Sequence, residues 1–378
     1  MKKSRTNILN LCGQTPLVQL NHITQPQHAK ILLKLERMNA GGSIKDRPAK
    51  YIIEKAEKSG ILRPGGVIIE SSSGNFGIAC AMIGAVKGYK VIILIDPKTT
   101  TTNRALMNAY GAQTIVVTEK DDDGAYHKTR IAMAQRLHQE IPNSFWPNQC
   151  FNLDNSAAHY ASTAPEIMQQ CNGEIDVLIT AVSTGGQIGG LARYFREHSP
   201  KTKIVAVDAF GSTAFGGQAQ NYLLPGVGLG WTPANIKDLS QLDAIFKIHD
   251  NDTFLTCRVL AKYEGILTGG STGANVITAL HLSKQLNANQ QIVCISADSG
   301  ERYLDTIYND QWLLNHNLQT ECSIAELNQK AQQLVSYSTN PVESANYMPH
   351  VVDSISELAA NITFNSTEKN IYNVIKAR

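Results

Sequence analysis

Charge of one sign is the first thing this sequence lacks. Thirty-four basic side chains face thirty-two acidic ones, a formal net charge of +2, and no dense Lys/Arg stripe runs along any segment. A chain so balanced offers no track for a phosphodiester backbone, which excludes nucleic acid as its main partner. Long apolar runs are missing too: the longest, residues 76–86, stops at Lys87. A membrane-spanning helix needs roughly 20 such residues, so no membrane span is expected. The basic start M-K-K-S-R-T-N leads into L-N-L-C-G-Q-T-P-L rather than the apolar core of a secretory signal, and a cytoplasmic location is the default expectation. The seven cysteines (Cys12, Cys80, Cys150, Cys171, Cys257, Cys294 and Cys322) form no C-x-x-C pair and have no histidine at zinc-finger spacing. Disulfides and a metal site are therefore not expected, and Cys80 and Cys294 read as small buried hydrophobes.

What is present is core-forming sequence. A chain of 378 residues with 43% hydrophobic composition can bury the cores of two ordinary domains. Short β-branched runs at 31–35, 67–69, 91–95, 114–117, 177–180, 204–207 and 292–295 alternate with helical periodicity, as at 50–58 and 131–140. Gly60, Gly88 and Gly111 fall where helix C-caps are expected. The class is α/β, with two doubly wound lobes of parallel sheet over about 45–150 and 155–310. After about residue 320 the texture turns Q/N/S/E-rich, with a helix near 324–335 and a break at Pro341, and reads as an appended tail.

Three strand-to-helix turns carry the chemistry. N-A-G-G-S-I-K-D-R-P-A, residues 39–49, sets Lys45 at a helix entrance, where the positive end of the dipole favours the neutral amine that forms Schiff bases. An exposed lysine paired with Asp46 is the competing explanation. A-V-S-T-G-G-Q-I-G-G, residues 181–190, lets successive backbone N–H groups converge on an anion, although it matches neither G-x-G-x-x-G nor G-K-[ST]. Asp208, about twenty residues on, sits where a dinucleotide fold holds its ribose, so a nicotinamide-dependent oxidoreductase stays open. T-G-G-S-T-G-A-N, residues 268–275, supplies Ser271 or Thr272 either as a helix cap or as a ligand-facing hydroxyl. With E-S-S-S-G-N-F-G at 70–77, these loops offer one partner each for an aldehyde, a phosphate, a ring nitrogen and a carboxylate, the set pyridoxal 5'-phosphate and an amino acid need.

G-Q-T-P-L-V-Q-L (13–20), G-G-S-I-K-D-R-P-A (41–49), E-S-S-S-G-N-F-G (70–77), the 181–190 loop and G-G-S-T-G (269–273) stand in the order and spacing of the fold-type II pyridoxal phosphate enzymes. Over about residues 10–310 the chain resembles their cysteine synthase and cystathionine β-synthase group, whose fold is like that of tryptophan synthase β. Within that group it looks more like the N-(2-amino-2-carboxyethyl)-L-glutamate synthases of the diaminopropionate route to the siderophore staphyloferrin B. That likeness is carried by K-D-R-P-A-K-Y-I-I-E (45–54), D-P-K (96–98), T-R-I-A (129–132), V-A-V-D-A (205–209), L-P-G-V-G (224–228), Y-E-G-I (263–266) and G-E-R-Y-L-D (300–305). It stops before the tail.

The resemblance implies a homodimeric transferase in which Lys45 forms the Schiff base with the cofactor and carries the α-proton. It implies that Asn75 bonds the cofactor's 3-hydroxyl and that Ser183, Thr184, Gly185, Gly186 and Gln187 cradle the phosphate. Ser271 faces the pyridine nitrogen, and as a neutral hydroxyl it leaves the ring a weaker electron sink, favouring β-elimination. Ser72, Ser73, Gly74 and Gln149 hold the substrate carboxylate. Arg130 pairs with a phosphate or acceptor carboxylate, or is a solvated helix arginine. O-phospho-L-serine would yield an aminoacrylate to which the amine of L-glutamate adds; a cysteine synthase using sulfide is the alternative. The expected organisation is a large cofactor-binding domain of 1–42 with 151–320, a small mobile substrate-binding domain of 43–150 and an extension of 321–378. Three positions depart from the pattern. Gln187 and Phe76 replace the threonines usual in cysteine synthases, and Cys150 stands beside the acceptor position where the nearer relatives carry tyrosine.

Overall fold

The computed structural model describes residues 6–122, 124–236, 238–337 and 347–362, without the side chains of 347–350. They fall into two compact units, a larger one drawn from residues 10–48 and 150–345 and a smaller one from 1–9, 49–149 and 346–378. The strands are β1 Leu17–Gln19, β2 Lys30–Leu35, β3 Val67–Ser71, β4 Lys90–Ile95, β5 Gln113–Val116, β6 Ser144–Phe145, β7 Val177–Ala181, β8 Lys203–Ala209, β9 Ala244–Ile248 and β10 Gln291–Ser296.

In the larger unit the sheet runs β1-β2-β10-β7-β8-β9, with only β1 antiparallel to its neighbour. Central β10 pairs with β2 on one side, Ile292 opposite Ile31, and with β7 on the other, Ile292 opposite Val177. A parallel strand covered on both faces needs apolar side chains at every position, which is why Q-I-V-C-I-S does not alternate. Because β2, β10 and β7 are parallel neighbours, the segments that follow them leave from one edge of the sheet. Those segments are the Lys45 turn, residues 297–300 and the 182–186 loop. Bridges Ser43–Asp298 and Thr268–Ser299 draw the start of the helix Gly270–Ser283 to the same edge. The carboxyl edge of an open parallel sheet is where such folds bind ligands.

The smaller unit repeats the logic with the all-parallel order β5-β4-β3-β6. Its carboxyl edge brings together residues 72–75 after β3, Asp96 after β4 and residues 146–149 after β6. The helix Asn75–Lys87 is buried at every position from Phe76 to Gly84, and Gly84 is a glycine because a Cβ there would strike Val91. Gly88 ends it in the left-handed conformation at φ 76°. The α/β class with parallel sheets is as expected from the sequence.

The unit boundaries differ from the expected ones. The first falls after Pro48 rather than after residue 42, so Lys45 travels with the larger unit. The reason is local: Ile44 N donates to Ala297 O at 2.8 Å, and Arg47 is ion-paired with Glu36 and Glu166. Residues expected as an appended extension divide between the two units. The helix Ile324–Gln332 buries Leu327 and Ala331 in the larger core, and Lys284 Nζ donates to Asn328 O at 2.9 Å. Tyr337 N then bonds Ile245 O at 2.6 Å along β9, and its ring lies under Lys247. The helix Tyr347–Asn361 packs on the helix His127–Glu140 of the smaller unit through Val351, Ile355 and Ala359, spaced four apart on one face. The expected Pro341 break lies outside the described residues. No described helix is long and apolar enough to cross a membrane.

Candidate active site

In the larger unit, Lys45 ends a tight turn just ahead of the helix Asp46–Lys58. Ser43 is bridged to Asp298, and Lys45 N bonds Ser43 Oγ at 3.2 Å. Behind the turn lies a buried charge network. Arg47 meets Glu36 through Nε at 2.6 Å and Nη2 at 2.8 Å, Arg47 Nη2 reaches Glu166 at 2.7 Å, and Lys34 reaches Glu166 at 2.9 Å. Burial holds the Glu166 carboxyl up, but the Arg47 bonds and charge outweigh it and bring its pKa down to about 2. Asp46 does not pair with the lysine: it accepts from Gly41 N, and burial raises it to about 7. The half-buried Lys45 amine makes no hydrogen bond or ion pair among the described residues. Its pKa is lowered by burial, against the opposing charge of Asp298. A neutral, unengaged amine is the form that attacks a carbonyl.

The 183–187 loop follows β7. Gly185 has φ 78°, and a Cβ on it would stand 2.7 Å from Pro233 and 2.9 Å from Ile236. No side chain caps the helix Gly186–His198 that follows, and a helix's first-turn N–H groups have no partners within the helix, so they present a ready anion site. Thr184 Oγ1 accepts from Asn155 Nδ2 at 3.2 Å, while the Gln187 amide donates to Thr180 in the sheet. Gln187 therefore offers the loop its backbone N–H rather than its side chain. Ser271, buried in the first turn of Gly270–Ser283, does not cap that helix, and its hydroxyl has no partner among the described residues. Gly269 must lack a side chain because a Cβ would collide with the Asp298 carboxylate, which itself accepts from Tyr303 Oη at 2.6 Å.

Asp208 gives no ribose site. It is fully buried, lies 3.9 Å from Lys247 and accepts from Ala209 N at 2.9 Å, and burial raises its pKa to about 6. That removes the feature on which the oxidoreductase reading rested.

In the smaller unit, Ser72 Oγ accepts from Gly77 N at 3.0 Å and Gly74 N at 3.4 Å, fixing the entry to the helix Asn75–Lys87, with Asn75 its first residue. Ser73 Oγ donates to Asp96 Oδ2 at 2.7 Å and accepts from Arg130 Nη1 at 2.9 Å, while Asn103 Nδ2 reaches Ser73 O at 3.1 Å. Arg130 is buried rather than solvated, with Nε 3.4 Å from Asp96 Oδ2. Burial and then the Arg130 charge hold His127 down to about 4. Glu70, buried at the end of β3, accepts from Ser71 N through Oε1 at 3.0 Å, and burial lifts its pKa to about 8. Sequence reasoning passed over Glu70, Asp96 and Asp298 as functional groups. Glu70 and Asp96 lay in quoted motifs, and Asp298 stands two residues before another.

Within the larger unit, then, a free amine, an uncapped helix start and a free hydroxyl suit the aldehyde, phosphate and ring nitrogen of pyridoxal phosphate. The described residues hold no His/Cys/Asp/Glu group arranged for a metal ion. The family described as pyridoxal-phosphate dependent enzymes matches residues 8–298. Among solved structures, a hydrogen sulfide-producing enzyme from Fusobacterium nucleatum is similar at 38% identity and TM-score 0.75, over 80% of this chain and all (100%) of its own. An O-acetylserine dependent cystathionine β-synthase from Helicobacter pylori is similar at 32% identity and TM-score 0.75, over 81% of this chain and 100% of its own. The chain belongs to the pyridoxal-phosphate dependent enzyme family.

Proposed function

We propose that this pyridoxal-phosphate dependent enzyme catalyses β-replacement on an activated L-serine. The donor is O-phospho-L-serine, the amine of L-glutamate adds at Cβ, phosphate leaves, and the product is N-(2-amino-2-carboxyethyl)-L-glutamate. The observation that supports the reading is the meeting of two motifs on Ser73. D-P-K at 96–98 and T-R-I-A at 129–132 are among the motifs that set this sequence apart from ordinary cysteine synthases, and Asp96 and Arg130 both bond the Ser73 hydroxyl.

Pyridoxal phosphate, when bound, supplies the electron sink that makes the Cα proton of an amino acid acidic. In this reading Lys45 takes up and returns that proton at Nζ. Ser183 to Gln187 hold the phosphate through their amides, Ser271 meets the ring nitrogen without protonating it, and Asn75 meets the 3-hydroxyl. Ser72, Gly74 and Gln149 bind the substrate carboxylate. Ser73 contributes through its backbone, since its hydroxyl is already committed. Arg130 exchanges its 3.4 Å contact with Asp96 for an anionic group of donor or acceptor.

A second reading is a cysteine synthase, with sulfide as nucleophile and O-acetyl-L-serine as donor; the donor is favoured by the name of one similar structure, an O-acetylserine dependent cystathionine β-synthase. Purified enzyme given each donor with L-glutamate and sulfide together, followed by mass spectrometry of the products, separates the two. Predominance of the glutamate adduct from O-phospho-L-serine supports the first reading, and predominance of cysteine supports the second. The homodimer implied by the resemblance is checked by sedimentation equilibrium.

A further inference from the structure

Tyr337 lies beyond the family match, which ends at residue 298, and the proposed function gives it no role. It is nonetheless fastened to the sheet of the larger unit. Ser336 bridges Phe246 of β9, and Tyr337 N donates to Ile245 O at 2.6 Å. β9 is the last strand of its sheet, so this short pairing covers an edge, and it sets the Tyr337 ring 4.4 Å from the Lys247 ammonium.

Lys247 acts as a clamp. Its Nζ donates to Ser212 O at 2.7 Å and to Gly216 O at 2.6 Å, and stands 3.9 Å from the buried Asp208 carboxylate. The ammonium thus holds both ends of the turn 212–216. Tyr337 covers the turn closely: a Cβ on Gly217, which has φ 94°, would stand 2.9 Å from Tyr337 Oη. The turn passes the constraint on. Ser212 Oγ donates to Leu229 O and accepts from Leu229 N, both at 3.1 Å, and Thr213 N reaches Leu229 O at 3.1 Å as well. Next to Leu229, Gly228 N donates to Val182 O at 2.7 Å, at the root of the 183–187 loop. Farther along the same strap, Pro233 and Ile236 lie against Gly185, and Asn235 O is so near Gly189 that a Cβ there would collide with it.

We propose that Tyr337 is a positioning residue for the cofactor phosphate. By covering Lys247 it keeps the strap 212–236 seated against the 183–187 loop. A ring face attracts a partly desolvated ammonium, and here it also keeps out water that would compete for the two carbonyls. The proposal rests on the assignment of the cofactor phosphate to residues 183–187 given above.

Tyr337→Phe keeps the ring face over Lys247, while Tyr337→Ala removes it. The holoenzymes are diluted at pH 7, and cofactor release is followed by the loss of the visible band. Hydrogen exchange of residues 212–217 and thermal unfolding are measured alongside. Ala should release cofactor about three to ten times faster than the parent, with faster exchange at 212–217, and Phe should stay within about twofold. In a Lys247→Met background, adding Tyr337→Ala should change the release rate by less than about twofold, because the ring then has no ammonium to cover. The proposal is overturned if Tyr337→Ala keeps the parent's rate, if Phe releases as fast as Ala, or if Ala has its full effect without Lys247. Gly185→Ala is run in parallel: a parental release rate there instead overturns the assignment of the phosphate to the 183–187 loop.

Discussion

Arg130 Nη1 donates to Ser73 Oγ at 2.9 Å, and the same hydroxyl donates to Asp96 Oδ2 at 2.7 Å. A helix arginine and a post-strand aspartate thus share one serine of the loop that the sequence marks out as chemical. The loop's shape depends on this buried set, so removing one charge leaves the other without its counterion.

Asp96→Asn is therefore expected to cost about 1–3 kcal/mol of stability in urea unfolding, because a buried arginine loses its anion. It should also raise KM for the amino-acid donor about tenfold while leaving cofactor content intact. An unchanged KM would mean the Asp96–Arg130 pair is irrelevant to the loop.

The Glu166 network gives a pH prediction. The folded pKa of Glu166, about 2, lies below the ordinary 4.5, so its contribution is present above 4.5 and is lost as pH falls toward 2. Allowing for the partial exposure of this carboxylate, about 1–2 kcal/mol should disappear over that window. Urea unfolding at pH 5 and pH 3 should show the drop in the parent protein and a smaller one in Glu166→Gln. Equal drops would contradict the assignment.

Gly185→Ala tests the anion cradle. A Cβ at φ 78° costs about 1–2 kcal/mol, and it also presses on Pro233 and Ile236. The expected outcome is at least a tenfold loss of affinity for pyridoxal phosphate, read by fluorescence titration of the cofactor-free protein. The buried helix Gly270–Ser283 should keep its hydrogen-exchange protection.

Much of this was legible in the sequence, and the exceptions have physical causes. Seven strands were visible because parallel strands buried on both faces read as apolar runs. β1 and β6, of three and two residues, are too short to show a period, and Lys247 interrupts β9. Lys45, Ser271 and the 183–187 loop stood out because turns rich in small residues need a reason. Gln187 and Ser73 stand in ligand-binding motifs, but Thr180 and Asp96 engage their side chains, partners that only the folded sheets supply. The tail looked appended because its composition is polar. A helix needs only one apolar stripe to dock, and Leu327, Ala331, Val351, Ile355 and Ala359 provide it.

That docking gives a further prediction. Ile355→Ala should destabilise the smaller unit by about 2–5 kcal/mol, the usual cost of emptying a buried isoleucine site. Hydrogen exchange should quicken in His127–Glu140 while Gly270–Ser283 is unchanged. Protection lost equally in both would contradict the two-unit division of the tail.

The central claim is that the Lys45 amine carries pyridoxal phosphate, and its most direct test is borohydride reduction of the holoenzyme followed by peptide mass spectrometry. The expected result is a phosphopyridoxyl mass on the peptide containing Lys45, and loss of the holoenzyme's visible imine band in Lys45→Ala. A phosphopyridoxyl group on any other lysine, or an unaltered band in Lys45→Ala, would contradict it.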